Sequence, residues 1–264
     1  MPIPSEGYPL AAAVSPRVQV TERTDSTNAD VVAAVTADAD LWPHLSLLLT
    51  RDQRAGRGRL DRSWTAPPET ALAVSVVVRV DALPVAARGW IPLIAGAAMT
   101  RAVAAQLRGT GHSAGLKWPN DVLLDGAKVS GILAEAVGAH PDIVVIGSGV
   151  NTTMTAVDLP VETATSFAAV GVDVDEDRLL ADYLRALDEQ LSALAAAGGD
   201  AAASGVHAEI STLCTTVGSD VRVALPDGSS LEGRAVRIDA DGRLVVDVDG
   251  DETAVAAGDV VHVR

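Results

Sequence analysis

Lys117 and Lys128 are the only lysines in 264 residues, and Asn28, Asn120 and Asn151 are the only asparagines. All five fall within short polar strings: Asp25-Ser26-Thr27-Asn28, Lys117-Trp118-Pro119-Asn120-Asp121, Lys128-Val129-Ser130-Gly131-Ile132 and Gly147-Ser148-Gly149-Val150-Asn151. An ammonium is a compact point charge suited to a carboxylate or an α-phosphate oxygen. An asparagine amide can pair bidentately with an adenine edge. Gly131, beside an apolar pair, lets a strand backbone press against a flat ligand. A further string runs from Asp52 through Gln53, Arg54, Gly56, Arg57, Gly58, Arg59 and Arg62 to Trp64. Residues 51–62 hold five Arg and two Asp, a local charge of +3 in a chain of −15. Its glycines allow close backbone approach. The interleaved Arg57 and Arg59 can fork onto phosphate or carboxylate oxygens, and Trp64 offers a flat face for a nucleobase. The Gly-Lys-Ser/Thr ending of a Walker A loop is absent.

Each string also has a plain structural reading. The arginine loop could be solvated surface. Ser26 could be only a helix cap, Trp118 a buried indole in a hairpin, and Gly147–Gly149 a tight turn. No convincing Cys/His or Ser/His pair offers an enzyme nucleophile.

Several elements must position these strings. Residues 1–16 carry four prolines and read as an irregular arm. Residues 17–23 alternate like a short strand, and Ser26 then opens a helix. Strands are expected at 45–50, 71–80, 117–124, 128–136 and 143–146, with a turn at Asp125-Gly126. Residues 90–107 read as a helix with Pro92 in its first turn. Leu180, Leu184, Leu187, Leu191 and Leu194 make 177–194 an amphipathic helix whose stripe is core. A Gly/Ala/Ser stretch over 195–205 and a brief helical piece follow. From Val217 the pattern changes to short valine-rich runs split by Asp-Gly turns, which suggests a small β-barrel. The boundary falls near Thr212, giving an arm (1–16), a main domain (17–211) and a C-terminal domain (212–264).

Composition narrows the classes. A hydrophobic fraction of 48% with 21% charged residues fits a folded globular chain. Twenty Lys+Arg against 35 Asp+Glu disfavour a general nucleic-acid surface, which needs phosphate neutralisation. One cysteine, Cys214, excludes an intramolecular disulfide and any Cys-based zinc site. No signal peptide or membrane span is apparent, so a cytoplasmic location is expected.

Taken together, the ordered set resembles the biotin protein ligases. The matching strings are Asp-Ser-Thr-Asn, Gln-x-Ala-Gly-Arg-Gly-Arg, Lys-Trp-Pro-Asn-Asp, Lys-x-x-Gly-Ile-Leu and Gly-x-Gly-x-Asn. The resemblance implies an α/β (α+β) catalytic domain with a mixed β-sheet over 17–211 and a C-terminal SH3-like β-barrel. It implies ATP-dependent formation of biotinyl-5′-AMP with Mg²⁺, then transfer of biotin to a lysine of a biotin carboxyl carrier domain of an acyl-CoA carboxylase. Ser26, Thr27, Asn28, Gln53, Arg57, Gly58, Arg59, Lys128, Gly131 and Ile132 would bind biotin, the last two through main-chain groups. Arg57, Arg59, Arg62, Trp64, Lys117, Asn120, Asp121, Lys128 and Asn151 would hold ATP or the adenylate, with Trp64 and Asn151 receiving the adenine. Lys128, Arg57, Arg59 and Lys117 would carry the catalysis, and Asp121 is the candidate Mg²⁺ ligand. Leu60-Asp61 stands where the family loop commonly continues Arg-Gly. Only about 16 residues precede the first strand, so a form without the winged helix-turn-helix and without repressor function is expected. The alternatives are a lipoate or octanoate ligase on the same fold, or a non-catalytic biotin sensor.

Overall fold

The computed structural model describes residues 7–59, 62–225, 228–256 and 258–263; the Leu60-Asp61 departure lies outside them. The chain runs α1 (Pro9–Ala12), β1 (Val18–Val20), α2 (Thr27–Ala37), β2 (Leu47–Thr50), β3 (Gly56–Arg57), β4 (Ser63–Trp64), β5 (Ala71–Arg79) and α3 (Ile91–Gln106). It continues β6 (Ala114–Lys117), β7 (Asp121–Leu124), β8 (Ala127–Val137), β9 (His140–Asn151), α4 (Glu176–Ala196) and α5 (Val206–Leu213). Last come β10 (Asp220–Ala224), β11 (Ser230–Ile238), β12 (Leu244–Val248), β13 (Asp251–Val255) and β14 (Asp259–His262).

Seven strands form the main sheet in the order β1-β2-β5-β9-β8-β7-β6. Only β1 and β2 run parallel, so the sheet is mixed as expected. β5 and β9 are its centre, and the segments Ala71–Val78 and Ile143–Ile146 are buried on both faces, which is why they read as nearly continuous apolar runs. Val77, Ile143 and Val145 pack with Val31 and Val35 of α2 on one face. Leu72, Val74, Val76, Val144 and Ile146 meet α3 and the leucine stripe of α4 on the other.

The structure departs from the sequence reading at four places. Residues 117–124 are not one strand: β6 and β7 pair antiparallel with Lys117 opposite Asp121, so Trp118-Pro119-Asn120 is the turn between them. Proline has no N–H for a central ladder, and the Trp118–Pro119 bond is cis. The Gly147-Ser148-Gly149 string is not a turn but the middle of β9, paired with Ser75 to Ala73 on one side and Leu133 to Gly131 on the other. The arm is not wholly irregular, because α1 seats its Leu10 and Ala11 N–H groups on the Asp177 carboxylate, each at 2.9 Å. Finally, the C-terminal strands form an antiparallel sheet in the order β13-β12-β11-β10-β14, and its end strands β13 and β14 do not pair. Among the described residues it is open, not a closed barrel. The hairpin at Asp125-Gly126 is as expected, with both residues at positive φ (49° and 84°), the geometry of a type I′ turn.

The C-terminal sheet is fixed to the main body by buried indoles. Trp118 donates its Nε1–H to the Gly242 carbonyl at 3.0 Å and its backbone N–H to Thr216 Oγ1 at 3.0 Å. Trp90 Nε1–H reaches the Ala240 carbonyl at 3.3 Å. The buried-indole reading of Trp118 is thus correct.

Candidate active site

One cavity opens over the amino-side half of β8 and the middle of β9, roofed by described residues of the loop between Gln53 and Trp64. Ser26, Thr27, Asn28, Gln53, Arg57, Gly58, Arg59, Arg62, Trp64, Asn120, Asp121, Lys128, Gly131 and Ile132 all line it. Two expected residues do not. Lys117 lies beside the cavity, close enough to Asp259 and His262 of β14 to depress both their pKa values. Asn151 is buried at the end of β9, where its Nδ2 donates to the Thr165 carbonyl at 2.8 Å and its Oδ1 has no partner among the described residues.

One end of the cavity is neutral and polar. Ser26 caps α2, as its sequence context suggested, accepting from the Ala29 N–H. Thr27 gives both its backbone N–H (2.9 Å) and its hydroxyl (3.1 Å) to Gln53 Oε1. Asn28 Nδ2 donates to Glu135 Oε2 at 2.6 Å and to the Leu133 carbonyl at 3.3 Å. Its Oδ1 accepts from the Ser75 hydroxyl at 2.5 Å, and that hydroxyl is also 2.8 Å from Thr27 Oγ1. Both amide protons of Asn28 are therefore committed, and what remains for a ligand is the second lone pair of Oδ1. Gly147 makes this possible, since a Cβ there would lie 2.8 Å from Asn28 Cγ.

The other end is cationic. Lys128 Nζ sits 2.5 Å from Asp121 Oδ1 and 5.8 Å from the Trp64 ring centroid. The Lys128 backbone is clamped on both sides, its N–H on the Thr163 carbonyl and its carbonyl on the Thr165 N–H, both 2.8 Å. Arg57 pairs with Glu135 at 3.0 Å and Arg62 with Asp259 at 2.5 Å. Arg59 Nη1 donates to Asn120 Oδ1 at 3.0 Å. Asn120 in turn gives Nδ2 to the Ile132 carbonyl (2.7 Å) and accepts the Ile132 N–H on its own carbonyl (2.9 Å). The main-chain groups of Ile132 are thus engaged by Asn120, and its side chain, on the same face as its cross-strand partner Ser148, packs in the core. Trp64 lies flat on Gly149, where a Cβ would meet its Cζ2 at 2.6 Å and Nε1 at 2.8 Å. That contact needs the missing side chains of the β8 and β9 glycines.

Burial pulls the Arg59 guanidinium below its ordinary value, against the opposing charges of Asp121 and Asp259; it remains a cation at any physiological pH. Burial pushes the Asp259 carboxyl up, but the Arg62 bonds and the charges of Arg62, Lys117 and Lys128 outweigh it and hold the group below the usual carboxylate range. Burial, then Lys117, lowers His262. The described residues contain no cluster of three or more metal-ligating side chains.

The sequence reading passed over Ser75, Glu135, Ser148 and Asp259. A serine inside the run Ala71–Val80 was the one available signal for Ser75. Asp259 reaches the cavity wall from the C-terminal sheet, and nothing local marks it.

Residues 20–151 match the model of the biotin/lipoate A/B protein ligase family, and residues 216–263 match that of the biotin protein ligase C-terminal domain. The chain is 40% identical over 249 residues to the biotin–[acetyl-CoA-carboxylase] ligase of Mycobacterium tuberculosis, covering 94% of this chain and 90% of that one. The chain belongs to the biotin/lipoate A/B protein ligase family. Among solved structures, the fold is similar to the biotin protein ligase of Aquifex aeolicus in complex with biotin and ATP, with a TM-score of 0.75 at 22% identity, covering 94% of this chain and 99% of that one. It is also similar to the biotin acetyl coenzyme A carboxylase synthetase of Helicobacter pylori with bound biotinylated ATP, with a TM-score of 0.61 at 18% identity over 90% and 99% of the two chains.

Proposed function

We propose that this chain is an ATP-dependent biotin protein ligase. A biotin carboxylate oxygen attacks the α-phosphorus of ATP, the bond to the bridging oxygen breaks, and pyrophosphate leaves. The amine of an acceptor lysine then attacks the acyl carbon of biotinyl-5′-AMP and AMP departs. The observation that carries this reading is the two-ended cavity: hydroxyls and amides at Ser26, Thr27, Asn28 and Gln53, and cations at Arg57, Arg59, Arg62 and Lys128. The neutral end suits the ureido ring, whose N–H can meet the free lone pair of Asn28 Oδ1. The cationic end suits the carboxylate and α-phosphate that must be brought together, and fixed cations aimed at developing charge are usually the largest catalytic contribution.

In this reading Lys128, held by Asp121, contacts both the biotin carboxyl and the reacting phosphate. Arg57 and Arg59 neutralise charge on the phosphates, and Arg62 adds to them once freed from Asp259. Trp64 covers the glycine floor of β8 and β9 and stacks with the adenine. Asn151 offers its unpartnered Oδ1 from behind the adenine site, and Lys117 acts at longer range through the same field. Asp121 is a cavity-wall carboxylate, and one carboxylate plus substrate phosphates is a donor set that Mg²⁺ accepts; the ion would add charge neutralisation at the phosphates. The acceptor is a biotin carboxyl carrier domain, in keeping with the name of the mycobacterial relative. We place the boundary between catalytic unit and C-terminal unit at 211/212 and take the open five-stranded sheet as the SH3-like part. No described helix is long and apolar enough to cross a membrane, which supports action in the cytoplasm.

The test is transfer of radiolabelled biotin to a purified carrier domain, with and without ATP, alongside lipoate. ATP-dependent biotin transfer is expected. Transfer of lipoate alone would move the chain to the lipoate branch, and binding without transfer would make it a sensor.

A further inference from the structure

The loop that roofs the cavity leaves the sheet at the end of β2 and returns at the start of β5. Arg51 and Glu69 stand at these two stems. Their backbones meet: the Glu69 N–H donates to the Arg51 carbonyl at 2.8 Å. The Arg51 guanidinium closes the neck a second time, with Nη2 donating to the Glu69 carbonyl at 2.7 Å. Its Nη1 reaches both oxygens of Glu176, at the start of α4, at 2.8 Å each. The two side chains are largely buried, 13% and 11% exposed. Glu69 adopts φ 66° to make this turn, and its carbonyl also accepts from Thr153 Oγ1 at 3.0 Å. From the other side, buried Tyr8 donates its hydroxyl to Glu176 Oε2 at 3.3 Å.

Arg51 touches nothing in the cavity. Between the two stems lie Gln53, Arg57, Arg59, Arg62 and Trp64, and among its described residues the loop has only the two-residue ribbon β3–β4 as regular structure of its own. A loop is held in place in part by the contacts at its two ends. The entropy lost on ordering depends on how tightly its ends are held, and preorganisation appears as affinity.

Resting on the ligase reading above, we propose that Arg51 is a positioning residue: it pins the neck of the substrate loop to α4, and through Glu176 and Tyr8 to the N-terminal segment, so that the loop's described cavity residues are held for biotin and ATP at lower entropic cost. A bidentate clamp on a carboxylate and a carbonyl suits arginine and not lysine.

The test separates positioning from fold stability. R51M/E176L removes both charges and replaces them with apolar groups, a swap that is often neutral for a buried ion pair. R51K keeps a cation for Glu176 but cannot also hold the Glu69 carbonyl. Limited trypsin digestion, read by intact mass, reports opening of the loop at Arg54, Arg57, Arg59 and Arg62 without reference to activity. Thermal melts and steady-state kinetics accompany it. For R51M/E176L we expect loop cleavage about tenfold faster and KM for both biotin and ATP raised about tenfold, the scale of one lost charge-assisted hydrogen bond. The kcat should change by less than about twofold, since Arg51 makes no transition-state contact. R51K should show faster cleavage at the wild-type melting temperature. Wild-type cleavage and KM in both variants would overturn the proposal. If wild-type protein forms no biotinyl-5′-AMP, the ligase reading fails instead, and the cleavage comparison still decides whether Arg51 pins the loop.

Discussion

Gly147→Ala should damage biotin recognition without touching a single polar group. An added Cβ would lie 2.8 Å from Asn28 Cγ and 2.9 Å from Nδ2, and closer still to Oδ1. The amide cannot simply swing away. It is 5% exposed, and it is held by Glu135, Leu133 and Ser75. Relief therefore requires moving the amide plane by roughly 0.5–1 Å, enough to lose directional hydrogen bonds. The loss combines the bond from the ligand to Oδ1 with weakening of the charge-assisted bond to Glu135, together about 2–3 kcal/mol. That corresponds to about a 30- to 150-fold rise in the biotin Kd. Isothermal titration with biotin measures it directly, and the KM for ATP should stay within about threefold because the cationic end is not displaced. Gly138→Ala is the control: it lies in the turn between β8 and β9, its φ is not positive, and nothing stands within 4 Å of its added Cβ. Unchanged biotin affinity in a Gly147→Ala protein of normal melting temperature would show that the Asn28 amide does not face biotin.

Three further outcomes are expected. Lys128→Ala should lower kcat for adenylate formation by about 10²–10³-fold with unchanged circular dichroism; near-normal pyrophosphate exchange would remove Lys128 from the chemistry. Trp118→Phe deletes the donor to the Gly242 carbonyl and should cost about 1–2 kcal/mol of stability, seen by calorimetry, whereas an unshifted melt would mean the C-terminal sheet is held by other contacts. Burial, eased slightly by the Ser148 bond, pushes the Tyr183 phenol from 10.0 up to about 12. The unfolded phenol ionises first, so its contribution is complete below about pH 10 and is lost as pH rises toward 12, by up to about 3 kcal/mol. Tyr183→Phe should flatten that alkaline loss in urea titrations, and an identical slope in the two proteins would refute the sign.

The scarce residues were a sound guide to where the cavity lies and a poorer guide to which side chains face it. Asn28, Asn120 and Lys128 line it; Lys117 and Asn151 stand just outside. The difference is tertiary. Whether Asn151 looks inward depends on Thr165, which reaches it only because residues 163–165 fold back along Lys128. Apolar runs located β5 at 71–80 and a core of β9 at 143–146, but they could not place Gly147 and Gly149 inside β9. Glycine at a strand end and glycine beneath a ligand look alike until the neighbours Ser75 and Leu133 are known. Residues such as Glu135 and Asp259 carry no local signal, since each matters through partners distant in sequence: Asn28 and Arg57 for Glu135, Arg62 for Asp259.

The chain's acidity takes its meaning from those arginines. A net charge of −15 would oppose any anionic ligand, yet the loop does not answer it with a free positive patch. Arg54 is paired with Asp52 at 2.5 Å, Arg57 with Glu135 at 3.0 Å, Arg62 with Asp259 at 2.5 Å and Lys128 with Asp121 at 2.5 Å. Among the described residues of the loop, Arg59 alone meets an amide in place of a carboxylate. On the proposed reading, binding a nucleotide would be an exchange, in which phosphate oxygens replace carboxylates already in place, with Arg59 the cation able to engage first without giving up an ion pair. Such an arrangement keeps the empty site from attracting anions at large, and it ties full assembly of the cationic end to a ligand with enough phosphates to displace several carboxylates at once.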